Sequence, residues 1–197
     1  MRYTTIRSQL FALLLSIAGL LSFHAPTANA LVSENATVPA PATVTTPAPQ
    51  EHRLRLFHTH TDERIDIVYK VGDTYIPSAL ARLNYFLRDH RTGDVRAYDP
   101  REFDLLEAIE QKLGRPHAEI DIICGYRTPW SNAFLRSRSS AVAQHSLHMQ
   151  AMAIDIRIPG TQTSVLRDAA LSLHRGGVGY YPGEEFVHVD VGRVRRW

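Results

Sequence analysis

Hydrophobic and polar positions divide the chain into three stretches of different character. The first is an apolar run from Leu10 to Phe23, preceded by Arg2 and Arg7 and followed by Ala28-Asn29-Ala30. A positive start, a short apolar middle and a small-x-small end predict a secretory signal over residues 1–30. The run falls short of the ~20 residues that a bilayer-spanning helix needs. An uncleaved membrane anchor is the alternative reading. The arginines are not adjacent, which favours a general secretory route. Residues 31–51 are Ala, Thr, Val and Pro with little charge, and they predict an extended tether.

From His52 the pattern is that of a folded domain, 52–197. Leu54–Phe57 and Ile65–Tyr69 flank the polar Thr59–Glu63, the signature of a hairpin. After Pro77-Ser78, Leu80, Leu83 and Leu87 share a helical face. Asp99, Pro100 and Glu102 predict a capped helix start, with Leu105, Leu106, Ile109 and Leu113 as its stripe and Gly114 and Pro116 as its stop. Ile120–Cys124 reads as a buried strand running into Gly125-Tyr126-Arg127-Thr128-Pro129. Met152–Ile158 alternates as a strand, Val165–Leu173 as a helix, and Phe186–Val191 as the last strand. The whole predicts an α+β fold: a small antiparallel sheet with helices packed on one face.

Composition narrows the function. Lys+Arg is 22 and Asp+Glu 20, and without Arg2 and Arg7 the remainder is near neutral, which argues against capture of nucleic acid by charge. The single Cys124 excludes an intrachain disulfide framework. Ten histidines make a metal site worth seeking. Asp155 is an acid inside an otherwise apolar strand, and a buried carboxylate needs a cation, strong donors or a metal. Alternation places Phe186, His188 and Asp190 on one face of the last strand and its valines on the other. Two histidines and one carboxylate suffice for Zn²⁺ with an open fourth position. On the residues alone, a core Asp155 paired with an arginine stays equally open.

Ser146-x-His148-x-x-x-x-Ala153-x-Asp155 with the late His188 resembles the zinc D-Ala-D-Ala carboxypeptidase and murein endopeptidase superfamily, and within it the murein endopeptidase K branch. The resemblance runs from about Leu54 to the C-terminus through Phe86–Gly93, Gly125–Pro129, His145–Gln150 and Gly176–Pro182. It implies zinc ligands His148, Asp155 and His188, and a periplasmic peptidase of the cell envelope acting on peptidoglycan stem peptides as a monomer. It implies Arg127 as the group facing the substrate oxyanion and Glu185 as the general base, with Glu184 and Asp190 as alternatives. The chain departs from the family in having Ala151 for a usual Gly and Cys124 for a usual Ser. Two rival functions remain: a metal-bearing wall-binding module without turnover, and a cysteine enzyme using Cys124.

Overall fold

The computed structural model describes residues 48–140 and 142–197, so the predicted signal, and the tether as far as residue 47, lie outside the described residues. Among the described residues no helix is long and apolar enough to cross a membrane. The predicted hairpin forms as β1 (Glu51–His58) and β2 (Arg64–Val71), followed by the short β3 (Thr74–Tyr75). Next come α1 (Pro77–Phe86), α2 (Arg101–Lys112), β4 (Glu119–Cys124) and α3 (Pro129–Arg136). A 3₁₀ turn (Leu147–Gln150) leads into β5 (Ala153–Arg157), and then α4 (Thr163–Leu173), β6 (Gly177–Tyr181), β7 (Phe186–Asp190) and β8 (Arg195–Arg196) complete the order.

The expected α+β fold is present, with a sheet larger than anticipated and mixed in sense. Eight strands run in the order β3-β2-β1-β4-β5-β7-β6-β8, with β1 parallel to β4 and β6 parallel to β8. Parallel neighbours require a long crossover, and the stretch from β2 through α2 supplies it between β1 and β4. Helix α1 packs against β2, α2 against β1, and α4 against β6 and β7. Leu54, Leu56, Ile120, Ile122, Ile154, Ile156, Val187 and Val189 meet Phe103, Leu106, Ile109 and Leu166 in one buried core. Because side chains alternate across a strand, Asp155 and His188 stand on the opposite face from these isoleucines and valines.

One start signal has a different outcome from the one expected. Asp99 does gather the first turn of α2, its Oδ1 accepting from the Arg101 amide at 3.0 Å. Glu102 does not close a capping box; it turns inward and is fully buried. Burial, with Asp190 and Asp99 adding to it, pushes its pKa well above the usual carboxylate range, so it is held as the neutral acid.

Candidate metal centre

Three backbone devices bring the site together. In the 3₁₀ turn the Ser146 hydroxyl accepts from the His148 amide, and Ala151 ends the turn in the left-handed region at φ +53. This bends the chain so that His148 is buried under β5 and its carbonyl accepts from the Arg127 amide at 3.2 Å. Ala151 therefore adopts the glycine-like dihedral that its position demands, at the cost of a Cβ in a crowded region. The second device is register. Asp155 of β5 lies directly opposite His188 of β7. The third is a bulge in β4: Ile122 pairs with Ile156, but Cys124, not Ile123, pairs with Asp155. The extra residue turns Cys124 onto the face that carries Asp155.

The three predicted ligand residues converge. His148 Nε2 lies 3.1 Å from Asp155 Oδ1 and 3.1 Å from His188 Nδ1, and His188 Nδ1 lies 2.8 Å from Asp155 Oδ1. The outer nitrogens settle the tautomers. His148 Nδ1 is 2.8 Å from the Gly125 carbonyl, and His188 Nε2 is 3.2 Å from Asp190 Oδ2, and both oxygens can only accept. Each outer nitrogen therefore carries the proton, and in the neutral rings the inner nitrogens present bare lone pairs. Two lone pairs and one carboxylate oxygen thus face one another with no hydrogen between them, an arrangement that calls for a cation. Donors ~2.0–2.1 Å from a tetrahedral zinc stand about 3.3 Å apart, close to the spacing here. The donor set fits a divalent metal. A proton competes with a metal for that place: burial opposes charge on His148, yet Asp155 outweighs it and lifts the pKa to about 9, so metal binding there displaces a proton. Burial likewise opposes ionisation of Asp155, but His148 and His188 hold it far below the carboxylate range.

Around this triangle lies a second ring of contacts. Asp190 is fully buried; it accepts from the Gly177 and Gly192 amides through Oδ1 and from Arg195 at 3.1 and 2.7 Å. Burial works against its charge, but the bonds from His188 and Arg195 bring its pKa down to about 2. Arg127 Nη2 donates to Asp155 Oδ2 at 2.9 Å, and its Nε to Cys124 Sγ at 3.0 Å. Asp155 therefore does pair with an arginine, as the competing reading of the sequence required, but through Oδ2, leaving Oδ1 for the triangle. Cys124 Sγ also comes within 4.8 Å of ligand atoms of His148 and Asp155. The histidine–aspartate–histidine set is the tighter one.

The triangle sits in a cleft walled by His145, Ser146 and Val142 on one side and by Tyr181, Phe186 and Trp197 on the other. Arg127 and Glu184 also line it; Glu185 is not among the lining residues. Glu185 occupies the loop between β6 and β7 at φ +56, with its carbonyl held by Arg157. Asp190 is committed to its four partners. Of the other histidines, His90 stacks on His60 at 4.0 Å in a separate cluster with His58, while His117 and His174 occupy positive-φ positions. Sequence reasoning missed Arg195 and Trp197. The available signal was Asp190 itself, a buried acid in need of a cation.

Comparison with known proteins bears on this geometry. A family described as "Peptidoglycan L,D-endopeptidase MepK" matches residues 46–197. The chain is 41% identical over 156 residues to the probable peptidoglycan L,D-endopeptidase MepK of Haemophilus influenzae, covering 79% of this chain and 83% of that one. It is also 41% identical over 162 residues to peptidoglycan L,D-endopeptidase MepK of Escherichia coli K12, covering 82% and 88%. With three-quarters of its length matched and a buried donor set that suits a divalent metal, this chain belongs to the MepK family of metallopeptidases.

Proposed function

We propose that this chain is a zinc-dependent peptidoglycan endopeptidase of the cell envelope that cleaves the L,D type of stem-peptide cross-link for which its relatives are named. The observation that carries the reading is the His148–Asp155–His188 triangle at the base of an open cleft. Those three residues would hold the ion, and a bound Zn²⁺ there supplies Lewis-acid polarisation and a water that deprotonates near neutral pH. Asp190 keeps His188 in the right tautomer, as outer-sphere carboxylates do for metal-bound histidine. Arg127, anchored by Asp155 and Cys124, has a further nitrogen, Nη1, beyond the two used in those bonds, with which to meet charge developing on the peptide carbonyl oxygen. The general base is Glu184 in this reading, because it is the acid on the cleft wall, in place of the neighbouring Glu185.

The chain layout completes the reading. Residues 1–30 act as a signal and the segment up to β1 as a tether, so that a monomeric domain works in the periplasm on peptidoglycan, without nucleic acid or stable membrane insertion. Cross-linked sacculi incubated with the protein, with and without chelator, test the function. Loss of cross-linked muropeptides that stops on chelation and resumes with Zn²⁺ is expected; unchanged profiles in every arm overturn it in favour of a wall-binding module. Glu184→Gln should lose turnover while keeping its metal, and Glu185→Gln should keep both. A Cys124→Ser variant with full activity removes the cysteine-enzyme alternative.

A further inference from the structure

Helix α3 buries polar residues and exposes a large aromatic one. Its buried residues are the polar Ser131 and Asn132, whereas Trp130 is 61% exposed. A surface helix ordinarily turns its apolar face inward, and an exposed aromatic patch marks a binding surface. Here the exposed Trp130 is held in place by the half-buried Phe134. The Trp130 and Phe134 rings stack with centroids 5.6 Å apart and planes within 12°. One helical turn further on, Arg138 lays its guanidinium over Phe134, 4.2 Å from the ring centroid. Phe134 thus contacts both Trp130 and Arg138, and the indole of Trp130 is the exposed member of the row. Both ends of this row join the cleft. Arg127, just before the N-cap Thr128, and Ser139, just after Arg138, line it. Eight residues of helix span about 12 Å, the scale of a disaccharide.

We propose that this row is a glycan-binding platform: the Trp130 indole takes the apolar face of one N-acetylated amino-sugar ring, and Arg138, at the other end of the row, donates to carbonyl and hydroxyl oxygens of a neighbouring sugar of the same strand. The assignment rests on the reading of the cleft as a peptidoglycan-peptide site. Its own support is the chemistry of the row, whose flat π faces and fork-shaped cation suit a pyranose ring. Continuity with the cleft adds to this. A polymer whose peptide branch enters the cleft must lay its sugar backbone alongside, and α3 flanks that entrance. Phe134 and Arg138 hold the indole ready, so little order has to be created on binding.

The full chain offers two indole N–H signals, from Trp130 and Trp197, and these give a direct test. Titration with tetra-N-acetylchitotetraose should shift one of them in the NMR spectrum, and Trp130→Ala should abolish that response while Trp130→Phe keeps weakened binding. In parallel, Trp130→Ala should lower kcat/KM on intact sacculi by about fivefold and leave it unchanged on cross-linked peptides freed of glycan. No indole shift at millimolar sugar overturns the proposal. So does an equal loss on both substrates, or a response to phosphatidylglycerol vesicles in place of the sugar. Should the parent protein cut neither substrate, the peptidase reading falls, while the sugar titration still decides the platform.

Discussion

Asp155 divides its two oxygens between different partners, Oδ2 for Arg127 and Oδ1 for His148 and His188, and this division explains how one acid satisfies two readings of the sequence. Asp155→Asn, His148→Ala and His188→Ala should each abolish turnover and metal retention with the far-UV circular dichroism unchanged. The core isoleucines and valines, which carry the stability, are on the other face. Removing the outer carboxylate is gentler. Asp190→Asn should weaken zinc affinity by about 10–100-fold, read by competition with a chromophoric chelator. Asp155 and His188 stood out in the sequence as an acid in an apolar strand and an alternating histidine, whereas the full set with His148 came from the family resemblance, because chance His/Asp pairs are many in a chain with ten histidines and twenty acids. Which of Glu184 and Glu185 lines the cleft was not legible, because it depends on the left-handed turn at Glu185, which spacing does not encode. Another residue carries a pH dependence. His58 is fully buried; its Nδ1 accepts from the His60 amide, and its Nε2 has no partner among the described residues. Burial, reinforced by His60 and Arg88 and opposed by Glu63, lowers its pKa from 6.5 to about 4. Between those values the unfolded chain binds more protons than the folded one, so stability falls as pH drops from 6.5 towards 4. His58→Gln should flatten that slope, by on the order of 2–3 kcal/mol at its acid end, in urea denaturation followed across the range.

At the scale of elements, strands and stripes were legible and reversals were not. Helix α2 appears with Leu105, Leu106 and Ile109 of its predicted stripe buried and the half-buried Leu113 just past its end, and His188 and Asp190 share a face as alternation required. Helix α3 escaped notice because its buried residues are the polar Ser131 and Asn132; Thr128 followed by Pro129 was the remaining signal, and the Thr128 side chain does cap it. The bulge in β4 was equally hidden, since one inserted residue leaves no mark on composition. The tightest constraint between elements is at Gly176, where a Cβ would stand 1.6 Å from the Asp190 carbonyl oxygen. Gly176→Ala must therefore push the end of β7 aside, taking Asp190 and His188 with it. A loss of zinc affinity together with at least about 2 kcal/mol of stability is expected, measured by metal content and chemical denaturation. Unchanged values for both would show that β7 has slack that the packing does not suggest.

Across the described residues, the core and the His148–Asp155–His188 triangle occupy opposite faces of one sheet, so they should respond separately to treatment. Chelation is expected to stop turnover, with thermal unfolding still cooperative and the far-UV spectrum intact. A collapse of the fold on chelation would instead mean that the ion is structural. The pairing of β5 with β7 has a further result in time. Asp155 and His188 are 33 residues apart in the chain, and they meet only when the two strands align in the observed register. A slip of one residue would turn either side chain to the opposite face. Non-local pairings of this kind form late, after loop closure has been achieved. The ability to cut therefore depends on β5 and β7 having paired in this register. A nascent or half-folded copy is inert towards any peptide it meets, and the sheet itself serves as the safety catch of a hydrolase.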